Sequence, residues 1–296
     1  MANLRDIRRR IKSVKNTSQI TRAMQLVAAA KMKKAQDQAL AGRSYADRLN
    51  KVLVNLKDGL DDEAHPLLEK RDGDKHLVLV ISTDKGLCGA LNANLQKKMR
   101  KEIAPGADYV TVGRKLRLSL EKAGNKVVAD FTVKDPVPFD ECRPVAKFLI
   151  EKFLGGEYSK ISVVFTNFVS TLTQEAYVSQ LLPIPTDKLG EHRDYEGVGK
   201  DAPAEVALDN PADYKFEPSA DEVLEALLPL YVNFQVYQMH VEARASEHSA
   251  RMVAMKSATD NAGKMVKELT LQYNKARQAA ITAELLEITT AMKAME

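Results

Sequence analysis

Tryptophan is absent, cysteine occurs twice, and aromatic residues make up 6% of the 296 positions. A large core built on rings is thereby excluded. The apolar share, 45%, comes largely from Ala, Met and Leu, which suits long helices and rules out a wholly disordered chain. Cys88 and Cys142 are too few for a disulfide framework, so a reducing compartment is expected. The histidines (His65, His76, His192, His240, His248) lack metal-ligand spacing, and no nucleophile stands in a pattern with a base. The expectation is no catalytic residue, no metal and no cofactor. No apolar run approaches the roughly 20 residues of a bilayer span, so no transmembrane segment is expected. The basic start, MANLRDIRRRIKSVKN, has no apolar signal core. Most telling is where the helix breakers are missing. Neither glycine nor proline precedes Gly42, the first proline is Pro66, and beyond Pro229 the single breaker is Gly263.

The ends left free of breakers carry a seven-residue repeat. Leu4, Ile7, Ile11, Val14, Ser18, Thr21, Gln25, Ala28, Met32, Ala35, Ala39, Gly42, Ala46, Leu49, Leu53, Leu56 and Leu60 follow a 3,4 spacing without a slip. Such a ladder marks a supercoiled helix whose seam faces another helix. At 1.5 Å per residue this first helix is roughly 85 Å long, ending near Leu60 with Gly59 as its cap. A second helix is expected after Pro218, with Ser219 as N-cap and Pro229 causing a kink or break. Its seam runs through Leu227, Tyr231, Phe234, Gln238, Val241, Ala245, His248, Met252, Met255, Thr259, Ala262, Val266, Leu269, Tyr273 and Ala276. It then shifts register to Ile281, Leu285, Ile288, Met292 and Met295.

Between the helices, short apolar runs alternate with helical patterns. Strands are expected at 76–83, 109–113, 125–131, 161–170 and 174–184, the last two as a hairpin, with helices near 90–103 and 114–124 and a third within 141–156. The fold class is therefore α+β / α/β: a long antiparallel coiled coil of the N- and C-terminal helices plus a Rossmann-like domain with a mostly parallel sheet. The domain reading is 1–60 for the first helix, 75–184 for the α/β domain, 185–220 for a Pro-, Gly- and acid-rich linker, and 221–296 for the second helix. Segments 1–60 and 221–296 together make one shaft.

Three features of that shaft point outward. Ile20, Met24 and Val27 lie off the seam, so the first helix is apolar nearly all round there, as expected of a helix enclosed on several sides. Residues 1–51 carry thirteen Lys or Arg against three acids, Asp6, Asp37 and Asp47. Finally, the second helix is the longer, by about fifteen residues and so roughly 20 Å, and its projecting end carries five large apolar side chains. Such a tip calls for an apolar sleeve or for self-association. A coiled-coil interaction protein with a basic nucleic-acid-binding helix is the alternative reading, but the basic helix has no stacking aromatics, and no nucleic-acid partner is expected. The turn DKGLCGALN (84–92) matches neither G-x-x-x-x-G-K-[ST] nor G-x-G-x-x-G, and reads as a tight turn with a small buried Cys88.

Long strings resemble the gamma subunit family of the F-type ATP synthase, the central rotor stalk. ITRAMQLVAAAKMKKAQ (20–36) resembles its N-terminal signature and STDKGLCGALN (82–92) the loop after its first strand. SEHSARMVAMKSATDNA (246–262) and LQYNKARQAAITAELLEI (271–288) resemble its C-terminal signature. The resemblance implies a non-catalytic shaft, one copy per complex, turning within a ring of three alpha and three beta subunits. It implies a foot on the epsilon subunit and the membrane c-ring, with proton flow driving affinity changes at the beta sites. The expected place is the cytoplasmic face of a bacterial inner membrane, with the mitochondrial matrix side as the alternative. Carried over residue by residue, Arg277, Gln278, Thr282 and Met24 would meet the beta catch loops, and Ile281, Leu285, Ile288, Met292 and Met295 would fill the apolar bearing. Arg8, Arg9, Arg10, Lys12 and Lys15 would face the ring. Lys31, Lys33, Lys34, Tyr214 and Glu217 would sit at the foot, towards the c-ring or epsilon.

Overall fold

The structure is a computed structural model that describes residues 4–57, 65–185, 217 and 219–295. Gly59, Tyr214 and most of the 185–220 linker, all named above, lie outside the described residues. The chain divides into two compact units, one of Ala28–Arg251 and the other of Met1–Val27 with Met252–Glu296. Two helices thread both: α1 (Leu4–Lys57) and α5 (Ala220–Lys293).

The Ala28–Arg251 unit is built on a sheet of β1 (His76–Ile81), β2 (Asp108–Val112), β3 (Val127–Phe131), β4 (Lys160–Phe168) and β5 (Gln174–Leu182). Its order is β3-β2-β1-β4-β5, parallel except for the antiparallel β4–β5 hairpin. Central strand β1, HLVLVI, is buried on both faces, as a strand covered on two sides by helices must be. Val78, Val80 and Val164 pack on one face against α2 (Leu91–Glu102) and α3 (Arg114–Lys122) through Leu95, Met99, Leu116 and Leu120. Leu77, Leu79 and Val163 pack on the other against α4 (Phe139–Leu154) and the two long helices, through Val145, Leu149, Leu53, Val236 and Val241. Gly113, at φ +98°, makes the β2–α3 turn possible: a Cβ there would lie 2.1 Å from the Ser82 carbonyl oxygen.

Within this unit α1 and α5 run antiparallel. A Cβ on Gly42 would meet Gln238 at 3.2 Å, and three residues further along α1 the Tyr45 ring lies 5.2 Å from that of Phe234, earlier in α5. Small residues Ala35, Ala39 and Gly42 on the α1 seam leave room for the larger side chains opposite. Ser219 caps α5, its Oγ accepting from the Glu222 N–H at 3.3 Å. The expected break at Pro229 does not occur, and α5 continues through it. Proline costs a helix about 3 kcal/mol. The adjacent Leu224, Leu228 and Val232 are fully buried, and each such side chain contributes about 1.5–3 kcal/mol. Packing therefore outweighs the lost hydrogen bond.

In the other unit the two helices meet along their seams. Ile7 and Thr21 of α1 are buried, as are Met255 and Ala262 of α5. Thr21 Oγ1 and Thr259 Oγ1 lie 2.7 Å apart, and each also reaches a carbonyl of its own helix, that of Ser18 or Met255. Every described rung of the α1 ladder is buried or half-buried, and so is every α5 seam residue from Leu227 to Ala276.

Candidate functional site

Doubly wound sheets bind ligands above the carboxyl ends of their strands, where the strand order reverses. In this sheet that point lies between β1 and β4, and α5 fills it. Ser246 Oγ donates to the Thr166 carbonyl at 3.1 Å and Ser249 Oγ to that of Thr171 at 2.7 Å, both from the β4 side. From the β1 side, Arg244 Nη2 approaches Asp84 at 3.3 Å, and Arg251 Nη2 lies 3.4 Å from the carbonyls of Lys85 and Gly86. All of 238–249 is buried, so α5 is enclosed from every side there.

The loop leading into this crevice closes on itself. Asn92 Nδ2 donates to Thr83 Oγ1 at 2.7 Å and to Cys88 Sγ at 3.5 Å, while Thr83 Oγ1 donates to the Lys85 carbonyl at 2.8 Å. Cys88 is a buried free thiol, as the sequence suggests. Leu87, in the left-handed region at φ +64°, points its side chain outward. Among the described residues no group of His, Cys, Asp or Glu could hold a metal ion.

Buried charges of α5 are paired. Arg244 Nη1 donates to Glu247 Oε2 at 2.8 Å, and Arg251 Nη2 to Glu247 Oε1 at 2.7 Å. Burial works against the Arg244 charge, but Glu247 and Asp84 outweigh it and raise its pKa. His248 Nε2 lies 3.1 Å from Asp135 Oδ2, which also accepts from Lys31 Nζ at 2.7 Å. His248 and then Lys31 hold the Asp135 carboxyl well below the usual carboxylate range. His240 is fully enclosed, its Nδ1–H donating to the Val236 carbonyl at 2.8 Å, and burial lowers its pKa to about 4. Sequence reading misses this network. The available signal is SEHSAR (246–251), where charged and polar residues occupy every side of the helix and one of them, His248, is a seam position.

The residues singled out from sequence fall into separate surfaces. Arg277 and Gln278 are exposed, and so is Thr282, whose Oγ1 donates to the Gln278 carbonyl at 2.9 Å. Met24 is half-buried, while its neighbours Ile20 and Val27 are exposed. Ile281, Leu285, Ile288, Met292 and Met295 are all exposed, Met295 to 90%. Leu286 and Leu26, not expected there, add to the exposed apolar surface. Arg8, Arg9, Arg10, Lys12 and Lys15 are exposed, with Arg9 paired to Asp6 at 3.1 Å. Lys34 and Glu217 face solvent and Lys33 pairs with Asp37 at 2.9 Å. Lys31 is engaged with Asp135 rather than left free for a partner. No helix among the described residues is long and apolar enough to cross a membrane.

A family profile described as ATP synthase matches residues 3–295. The chain is 50% identical to the ATP synthase gamma chain of Akkermansia muciniphila over 296 residues, covering all of both chains. It is 47% identical to that of Opitutus terrae over 291 residues, 98% of each chain. Among solved structures, a chain of the Euglena gracilis mitochondrial ATP synthase, in its OSCP/F1/c-ring assembly at rotational state 3, aligns at TM-score 0.66. The identity there is 21%, over 99% of this chain and 94% of that one. A chain of the Tetrahymena thermophila central stalk and c-ring aligns at 0.58, with 22% identity over 81% of this chain and 99% of that one. The structural likenesses establish a shared fold, a mostly parallel five-stranded sheet carried with long N- and C-terminal helices. With the full-length sequence matches they show that this chain belongs to the ATP synthase gamma chain family.

Proposed function

We propose that this chain is the central rotor shaft of a proton-translocating ATP synthase, passing c-ring rotation to the beta-subunit sites and catalysing nothing itself. The observation that carries this reading is the state of 281–295: every residue there is exposed, and six of them, Ile281, Leu285, Leu286, Ile288, Met292 and Met295, are large and apolar. An apolar stripe of that length on a helix end calls for an apolar surface around it, which an enclosing sleeve supplies. Full-length membership of the gamma chain family supports reading the sleeve as the top of an alpha3–beta3 ring.

One turn below, Arg277 offers a bidentate donor to an acidic beta loop, and Gln278 and Thr282 offer hydrogen bonds beside it. Met24 supplies an adaptable apolar contact on the facing helix. Arg8, Arg9, Arg10, Lys12 and Lys15 meet the ring through exposed charges, worth about 0–1 kcal/mol per pair. Weak, screened attraction suits a surface that must let go at every angle. Lys33, Lys34 and Glu217, with Tyr214, form the foot on epsilon and the c-ring, and Lys31 contributes there while tied to Asp135. In this reading 1–60 and 221–296 serve as the shaft, 75–184 as its α/β base and 185–220 as the linker. The complex lies at the cytoplasmic face of a bacterial plasma membrane, with the mitochondrial matrix side as the alternative. Non-catalytic status is supported by the crevice above β1 and β4, which α5 occupies.

Co-expression with alpha and beta subunits tests the proposal. One copy of this chain is expected to co-purify with three of each, and the isolated chain is expected not to bind ATP at micromolar concentration. A hexamer that forms without it, or nucleotide binding by the chain alone, overturns the reading.

A further inference from the structure

Small residues line much of the α5 surface enclosed by the sheet unit: Ala243, Ala245, Ser246 and Ser249 are all buried. Between 243 and 249 no large apolar side chain acts as a knob caught in a hole, so this stretch packs closely but by itself resists axial turning poorly. Directional bonds have to supply that resistance. Arg244 makes them to two separate loops at once, through Asp84 after β1 at 3.3 Å and the Val133 carbonyl after β3 at 3.0 Å. Its other terminal nitrogen is held by Glu247, which is itself held by Arg251. On the next turn His248 reaches Asp135, two residues beyond Val133, and Lys31 of α1 closes the chain on the same carboxylate. Two loops and two helices are thus joined by two adjacent sets of contacts, one centred on Arg244 and one on Asp135. Buried ion pairs add little net stability compared with apolar replacements of similar volume, and their best-attested use is to fix one register.

We propose that Arg244 is a positioning residue that keys α5 to the loops after β1 and β3, so that twist passes between helix and sheet without slip. The inference rests on the rotor reading for its consequence, but not for its geometry. A methionine at this position fills similar volume and cannot bond to Asp84 or Val133; a lysine keeps one charge and loses the fork.

The test has two arms. In the isolated full chain, Arg244→Met is expected to raise amide hydrogen exchange in 84–87 and 132–136 at least tenfold, with exchange in β1 and β4 unchanged; Arg244→Lys falls between. In the complete ATP synthase reconstituted in vesicles, Arg244→Met is expected to retain ATP hydrolysis and lose at least half of the protons pumped per ATP, with partial rescue by Arg244→Lys. Unaltered loop exchange overturns the keying. Altered exchange with an unchanged proton-to-ATP ratio overturns its role in torque transfer. A native chain that gives no coupled pumping refutes the rotor reading instead, and the exchange arm still decides the geometry.

Discussion

Residues 238–249 and 281–295 belong to one helix and invert the usual relation between polarity and burial. The first stretch is buried throughout, yet carries Gln238, His240, Glu242, Arg244, Glu247 and His248. The second is exposed throughout, yet carries Ile281, Leu285, Leu286, Ile288, Met292 and Met295. The difference lies in which partners the chain provides. The sheet unit supplies a carbonyl and a carboxylate to Arg244, and Glu247 is held between Arg244 and Arg251, while Gln238 Oε1 and His240 Nε2 are buried without a hydrogen-bond partner. Among the described residues nothing covers the apolar stretch, and the proposed function assigns that surface to another protein.

Four measurements would break or sharpen that contrast. The largest effect is expected from placing one new carboxylate in each stretch. Ala245→Asp puts an unpaired charge where no water reaches, and should cost about 4 kcal/mol or more by urea denaturation. Ala283→Asp, at an exposed site, should stay within about 0.5 kcal/mol. Similar costs at the two sites would remove the distinction.

Acid sensitivity comes next. His240 has a pKa of about 4 in the folded chain against 6.5 for the free side chain. Between those values the unfolded chain binds the extra proton, so folding stability is complete above the upper value and falls as pH drops towards the lower one, by about 3 kcal/mol. The pair of Asp135 with His248 and Lys31 weakens only below the ordinary aspartate value of 3.8, because its folded pKa is depressed. Stability measured from pH 7 to 4 should therefore fall less steeply in His240→Leu, with His76, also lowered to about 4 by burial, keeping part of the slope; an unchanged slope would assign the loss elsewhere.

A smaller effect is expected from Thr21→Val, which removes the 2.7 Å contact to Thr259 while Thr259 keeps its bond to the Met255 carbonyl. The cost should be about 1 kcal/mol, seen as earlier exchange of amides flanking residues 21 and 259. The smallest stability change belongs to the tip. Ile288→Ser with Met292→Ser should leave the thermal midpoint unaltered and reduce self-association by light scattering. A lowered midpoint would mean that the tip packs on its own chain.

Much of the fold is legible in the residue order because its signals are local. The described rungs of the α1 ladder and the α5 seam from Leu227 to Ala276 map onto buried and half-buried positions, and HLVLVI reads as a two-faced strand from composition alone. At Pro229, where the local rule allows a kink or a break, α5 is unbroken, with Leu224, Leu228 and Val232 buried around it. At the candidate surfaces, Arg277, Ile281, Leu285 and the basic run from Arg8 to Lys15 are found where helical spacing puts them, facing solvent. Lys31 is different: its spacing marks it as exposed, and its partner Asp135 stands 104 positions away.

Periodicity and the absence of breakers determined two long helices, their seams, the alternating strands between them and the apolar character of the last turns. Each of these depends on residues within a few positions of one another. Only the tertiary structure decided that α5 fills the crevice above β1 and β4, and that Arg244 meets Asp84 across 160 positions. Such pairings depend on which loops the sheet order brings to one edge, and no local pattern encodes that order.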